Sequence, residues 1–254
     1  MANTVFENKV IEAKAKDLLT TSVNTRSLMA VDTSLTQEAG MTKTINVYTY
    51  NGTAEELAAG KGNTARGAIT YTGKDYTVKL VQQAFDYQDE DYMKDSTIVD
   101  NGLKGASQVM TNKMTADFVA ECEKATLSQS GGLSYDTVVD AIAKLNVEDE
   151  SGLFILTNPE GKATLRKDED YKAARMGEVV YNGQVGTLAG IPVIVSKAVA
   201  NTYVSHKDAV KLFMKKDVEV EQDRDADTRT NSIYLRASYI CALVDNTKIC
   251  KITA

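Results

Sequence analysis

Residues 44–80, TINVYTYNGTAEELAAGKGNTARGAITYTGKDYTVKL, decide the fold. Two runs alternate apolar and polar side chains: Thr44 to Tyr50, and Ala68 to Tyr71 continuing through Lys74 to Leu80. Each reads as a strand with one apolar face. Between them lies a small-residue segment, Asn51 to Gly67, containing Ala58-Ala59-Gly60-Lys61-Gly62-Asn63. Hairpin loops are ordinarily about 2–5 residues long, so this spacing predicts a long arm with a flexible tip. A very long polar helix is predicted next, over residues 86–126. A lone two-stranded ribbon is marginal in water. Something else must cover the arm, and another copy of the same chain is the expected cover.

Working outward, 254 residues suffice for one large domain or two modest ones with a real core. A formal net charge of −6 is a poor match for tight nucleic-acid binding over the whole surface. No apolar run is long enough to span a membrane. The start, Met1-Ala2-Asn3-Thr4-Val5-Phe6-Glu7, has no basic region leading into an apolar one, so no secretory signal is expected. Cys122, Cys241 and Cys250 are odd in number and widely spread, which suits reduced thiols.

Phe6, Val10, Ala13 and Leu18 predict a short amphipathic helix within residues 5–19, followed by an irregular stretch over 20–42. The long helix carries Val99, Leu103, Ala106, Met110, Met114, Phe118, Cys122 and Ala125 as one apolar stripe. About 37 helical residues there would span about 55 Å, with Gly131-Gly132 as the break. Ser134 reads as the N-cap of a second helix, with Tyr135, Val138, Ile142 and Leu145 on one face. Leu153-Phe154-Ile155-Leu156 reads as a buried strand, and Asn158-Pro159 as the cap and first position of another helix. Glu178 to Tyr181, the turn Asn182-Gly183, and Gly186 to Val195 read as strand, turn, strand. Val218 to Glu221 and Ile233 to Ile240 are strands flanking a charged loop, Gln222 to Asn231, and a last strand covers Lys248 to Ile252.

The order of these parts resembles the major capsid proteins of tailed bacteriophages, with the Hong Kong phage 97 type of α+β fold. The resemblance covers nearly the whole chain. It includes the arm at 43–80, the spine helix at 86–126, the strand followed by Asn158-Pro159, and the segment Leu188-Ala189-Gly190-Ile191-Pro192-Val193-Ile194-Val195-Ser196. The implied organisation is an N-terminal arm (1–42), an extended loop (43–82), a peripheral domain with the spine helix (83–133 and 212–240), and an axial domain (134–211 and 241–254). The implied function is a structural shell subunit, not an enzyme, forming hexamers and pentamers that close into an icosahedral head in the host bacterium's cytoplasm. Double-stranded DNA would be packaged inside and contacted loosely. Scaffolding, portal and decoration proteins are partners such a shell implies, with no membrane and no cofactor. An encapsulin-like compartment enclosing protein cargo is the alternative on the same fold. Ile69, Tyr71, Tyr76 and Val78 would contact a neighbouring subunit. The loop Asp223-Arg224-Asp225-Ala226-Asp227-Thr228-Arg229 would lie where three subunits meet, its Arg224 and Arg229 pairing with Asp223, Asp225 or Asp227 of the next copy. Some members cross-link Lys to Asn between subunits. Lys61 and Lys74 are the candidate lysines in the extended arm loop, no Asn acceptor stands out, and non-covalent locking is expected.

The residues offer little to catalysis. His206 is the only histidine; between Ser205 and Lys207 it reads as solvated, and a nucleophilic site needs a positioned base. Cys241, Cys250 and His206 lack zinc-ligand spacing. Asp223, Asp225 and Asp227 imitate the opening of a calcium loop, but its glycine position is Thr228 and its closing glutamate position is Tyr234. Gly60-Lys61 lacks the rest of a phosphate loop. The acidic run Asp86 to Asp91 suits a helix start. Asn51-Gly52-Thr53 fits a glycosylation sequon but reads more simply as a turn.

Overall fold

A computed structural model describes residues 25–36, 40–169 and 186–253, and only the backbone of 47–49. The helix expected within 5–19 and the strand and turn expected at 178–183 lie outside the described residues.

The strands form two main sheets and one ribbon. β1 (Ala30–Asp32), β10 (Val210–Asp225), β11 (Thr230–Leu243) and β4 (Lys79–Gln88) make one sheet, ordered β1-β10-β11-β4. The second sheet is ordered β5-β12-β9-β6-β8-β7, from β5 (Leu127–Ser130), β12 (Ile249–Thr253), β9 (Thr202–His206), β6 (Leu153–Thr157), β8 (Ile191–Val195) and β7 (Thr187–Leu188). The ribbon pairs β2 (Thr42–Tyr50) with β3 (Ile69–Thr77). A short helix α1 (Asp89–Lys94) precedes the spine helix α2 (Ile98–Cys122); α3 (Tyr135–Leu145) and α4 (Pro159–Lys167) follow.

The spine is shorter than its pattern suggested. Residues 79–88 are strand β4, paired in continuous antiparallel register with β11 from Lys79↔Tyr239 to Gln88↔Thr230. Val81, Phe85 and Tyr87 pack against the core from alternate positions of this strand. Helix α2 has 25 residues, about 37 Å. Its C-terminal end also comes early, because Leu127–Ser130 pairs in parallel with β12. Asp89, Glu90 and Asp91 do fill a first helical turn, that of α1, while Asp86 lies in β4 opposite Ser232.

The predicted stripe of α2 packs on the first sheet: Leu103, Ala106, Met110, Met114, Phe118 and Cys122 share a core with Leu212, Ile233, Leu235 and Tyr239. Strand β6 explains its own unbroken apolar run. Phe154 and Leu156 join the spine core, while Leu153 and Ile155 join a second core with Val138, Ala141 and Leu165 of the flanking helices. A strand covered on both faces has no polar face to alternate. The caps follow the local code. Ser134 and Thr137 form a reciprocal capping box, and Asn158 Oδ1 accepts from Gly161 N with Pro159 at the first helical position.

Two carboxylates bolt α2 to both sheets. Asp117 Oδ1 accepts from Lys79 Nζ of β4 at 2.8 Å and from Lys113 Nζ at 3.1 Å, and its Oδ2 accepts from Tyr239 Oη of β11 at 3.0 Å. Glu123, just past the helix end, accepts from Tyr203 Oη of β9, from Asn201 Nδ2 at 3.1 Å, and from Lys251 Nζ of β12 at 2.5 Å. Burial pushes the Asp117 carboxyl up, but its three donors together outweigh burial and hold it below the usual carboxylate value. The hydrogen bond to Asp117 raises Lys79 above its ordinary value. The depressed carboxyl stabilises above the unfolded value of about 3.9 and that contribution is lost as pH falls; the raised ammonium stabilises below about 10.4 and is lost as pH rises. Asp117→Asn should therefore lower the unfolding free energy by about 1–3 kcal/mol near neutrality, with the gap to wild type narrowing progressively as pH falls below the unfolded value of about 3.9. Urea titrations at a series of pH values check this; a deficit that persists unchanged into acid would contradict it.

Candidate assembly surfaces

The arm is anchored at its base and bare beyond it. Its register runs from Thr42↔Thr77 at the base to Tyr50↔Ile69 at the far end. At the base, Ile45, Tyr76 and Val78 pack with Leu35, Phe213, Ile240 and Ala242. Tyr76 Oη donates to the Leu243 carbonyl at 3.2 Å, and Val78 N donates to Met41 O at 2.7 Å. Tyr76 and Val78 are thus 8% and 5% exposed, so their apolar area is spent inside this chain and is not on offer to a neighbour. Ile69 and Tyr71, farther out, are 57% and 69% exposed. Along β3 only Tyr76 is buried; the other residues are exposed on both faces of the ribbon.

The tip carries its own hydrogen bonds. Glu55 takes the Thr64 N–H at 2.8 Å, the Thr64 hydroxyl at 2.7 Å and the Ala65 N–H at 3.1 Å. These bonds hold its carboxyl below the usual range, the Thr64 N–H foremost. Where the strands end, Asn51 N donates to Ala68 O and Asn51 Oδ1 accepts from Ala68 N at 2.7 Å. The Tyr50 ring lies across two glycines there. A Cβ at Gly52 would meet the Tyr50 hydroxyl at 2.0 Å, and one at Gly67 would meet its ring at 2.5 Å. The sequence shows both glycines but not the ring that needs them.

The second predicted contact, the β10–β11 hairpin end, is longer and more ordered than a charged loop. Pairing continues to Asp225↔Thr230, leaving only 226–229 as the turn. Arg229 sits at a left-handed φ of 57°. The arginines find partners within the chain: Arg224 meets Asp89 at 2.6 Å and Arg229 meets Glu90 at 2.9 Å. Asn231 Nδ2 donates to Asp89 at 2.7 Å and Asp89 N donates to Arg229 O at 3.1 Å. The hairpin end is thereby tied to the start of α1. Asp223 caps Arg224 N, and Asp225 accepts from Asp227 N and the Thr228 hydroxyl. In these turn contacts the Asp223 and Asp225 carboxylates serve the hairpin itself, while Asp227 contributes its backbone N–H. Beside this end Met93 is 83% exposed, an apolar feature that sequence reading missed because it was assigned to the spine.

The groups with latent chemistry are in structural use. His206 ends β9 instead of lying in a loop; its Nδ1 accepts from Asp208 N and its Nε2 meets Ser151 O, both at 3.1 Å. Nδ1 therefore carries the lone pair and Nε2 the proton. All three cysteines are buried and unbridged. Burial pushes Cys241 up to about 12 and Cys122 higher still, so neither is a thiolate at neutral pH.

No family model matches the chain. It is 27% identical over 240 residues to the major capsid protein of Staphylococcus phage phiMR11, an alignment covering 89% of this chain and 85% of that one. Among solved structures, it resembles the capsid of cyanophage P-SCSP1u with a TM-score of 0.71 and 12% identity, over 89% of this chain and 86% of the other. The capsid of the native GTA particle gives 0.67 at 15% identity, over 90% and 89%. The virus-like particle from Pyrococcus furiosus gives 0.68 at 10% identity, over 98% and 100%. The fold is the Hong Kong phage 97 type, and the resemblance to tailed-phage major capsid proteins is borne out.

The two arm glycines can be tested without touching either core. Gly67→Ala should push Tyr50 off the tip, making trypsin cleavage after Lys61 and Arg66 severalfold faster while the melting temperature stays within about 2 °C of wild type. Adding Tyr50→Ala should leave the alanine Cβ unopposed. Cleavage of Gly67→Ala at the wild-type rate would show that the ring does not hold the tip.

Proposed function

We propose that this protein is the major capsid subunit of a tailed phage, assembling as hexamers and pentamers into an icosahedral head around double-stranded DNA. The observation that carries the reading is the arm: a paired ribbon whose base is buried in its own chain and whose strand β3, apart from Tyr76, is exposed along its length, Ile69 and Tyr71 included. At roughly 25 cal/mol per Å², covering that strand against a neighbour repays the cost of ordering it, and every subunit in a closed shell makes the contact once. The capsid protein of Staphylococcus phage phiMR11 supports the assignment by likeness over most of both chains. The formal charge of −6 supports loose contact with packaged DNA, since a strongly basic lining would grip it.

In this proposal the sheet containing β10 and β11, with α2, serves as the peripheral domain, and the sheet containing β6 and β9 as the axial domain. The β10–β11 hairpin end meets other copies as a preformed unit, since Arg224 and Arg229 already hold it to α1. Neighbours would meet its carboxylates and Met93, with the arginines serving to fix its shape. Scaffolding, portal and decoration proteins are the further partners of such a head, and the host cytoplasm its place of assembly.

A second reading, a compartment enclosing protein cargo, is favoured by one observation: the likeness to the Pyrococcus furiosus virus-like particle covers that whole chain. Contents separate the two. Expression in bacteria, with and without the neighbouring phage genes, followed by electron microscopy should show rings or closed shells. Shells produced in phage infection should yield double-stranded DNA protected from nuclease. Recovery of a defined protein cargo with no nucleic acid would favour the compartment, and a compact monomer under every condition would refute both.

A further inference from the structure

We infer that Asn51-Gly52, at the junction of the arm and its tip, is a self-modifying site where the asparagine converts spontaneously to aspartate and isoaspartate. The inference does not depend on the shell reading. The reaction needs three things: a following residue with no side chain to obstruct attack, a backbone nitrogen free to attack, and help for the charge that develops on the side-chain oxygen. Gly52 supplies the first. It also supplies the second, because its N–H takes part in no hydrogen bond among the described residues, the β2 ladder having ended at Tyr50 and Asn51 N. Ala68 supplies the third. Its N–H points at Asn51 Oδ1 from 2.7 Å, where it polarises the side-chain carbonyl and stabilises the oxyanion of the tetrahedral intermediate. The Tyr50 ring, lying against Gly52, fixes the backbone at this point.

The step balances without any added reagent but water. A solvent base takes the proton from Gly52 N. That nitrogen attacks Asn51 Cγ and forms the new C–N bond of a cyclic imide. The side-chain amide nitrogen leaves as ammonia, protonated by solvent. Water then opens the imide at either carbonyl. One opening gives aspartate at 51; the other gives isoaspartate, which places an extra methylene in the main chain. Either product adds a negative charge at the base of the tip, and the second also lengthens the backbone opposite Ala68.

The chain contains its own control. Asn101-Gly102 is the same dipeptide inside helix α2, where Gly102 N is committed to the helical ladder. Asn101 is further held by its N–H to Thr97 O at 3.0 Å and its side-chain Nδ2 to Thr97 Oγ1 at 3.3 Å. The same chemistry should therefore run at one site and not at the other.

The test incubates the full folded chain at neutral pH and 37 °C, then digests it with trypsin. Peptide 44–61 reports on Asn51 and peptide 95–104 on Asn101. The mass gain of amide-to-acid conversion, and isoaspartate by enzymatic methyl labelling, should accumulate at Asn51 and stay at background at Asn101. In urea the Asn101 rate should rise to approach that of Asn51. Ala68→Pro, which removes the N–H donor at the start of an edge strand where proline is tolerated, should slow conversion at Asn51 by about tenfold. Should that variant misfold, the wild-type comparison of folded and urea-unfolded chain still decides. Conversion at Asn51 that is faster unfolded than folded, or no faster than at Asn101 in the folded chain, would overturn the inference.

Discussion

A two-stranded ribbon cannot bury either of its faces alone, and the rest of this subunit is organised around that limit. The ribbon β2–β3 spends Ile45, Tyr76 and Val78 on a small core with Leu35, Phe213, Ile240 and Ala242. That core fixes where the arm leaves the body. Beyond it, Ile69 and Tyr71 stay largely exposed. The arm is nonetheless shaped: Glu55 gathers the Thr64 and Ala65 donors, and Tyr50 lies over two glycines. An exposed element with this much internal order loses less entropy when a partner covers it.

The base of the arm needs a rigid body behind it, and α2 provides it. The helix sits between two sheets that share no strand, and it meets each through a carboxylate: Asp117 toward β4 and β11, Glu123 toward β9 and β12. Both acids lie in or just beyond the last turn and a half of the helix, so the joint is local. Strand β4 runs on from β3 after only Val78. A load applied to the arm therefore passes into β4, then through Lys79 to Asp117 and the spine. That route runs through hydrogen-bonded and packed groups, not through a loop.

Much of this was legible in the sequence, and the failures have identifiable causes. Ser134, Asn158-Pro159 and the run Leu153 to Leu156 were read correctly because caps and doubly covered strands are written in a few adjacent residues. The arm was legible because its alternation is interrupted by a long segment of small residues. Residues 86–88 were misassigned to the helix because the acidic run Asp86 to Asp91 reads as a helix start; the in-register pairs of β4 with β11 settle it, and those partners lie some 150 residues away in sequence. Gln222 to Asn231 read as a loop because both faces of the hairpin end are polar, so alternation gives no signal. Arg224 and Arg229 were assigned to other copies because their partners, Asp89 and Glu90, are distant in the sequence and come close only once β4 lies beside β11. The inward turn of Tyr76 and Val78 was invisible for the same reason.

The most direct measurement of the central claim removes the arm's outer part and asks separately about folding and about closure. A chain in which residues 51–67 are replaced by a two-residue Asn-Gly turn keeps both helix–sheet cores and the clamps on Asp117 and Glu123. Circular dichroism should show native content and a cooperative melt close to that of the full chain, while electron microscopy under conditions that give wild-type shells should show none. Closed shells of normal size from the shortened chain would contradict the account, because they would mean that the exposed half of the ribbon has no partner on a neighbouring subunit.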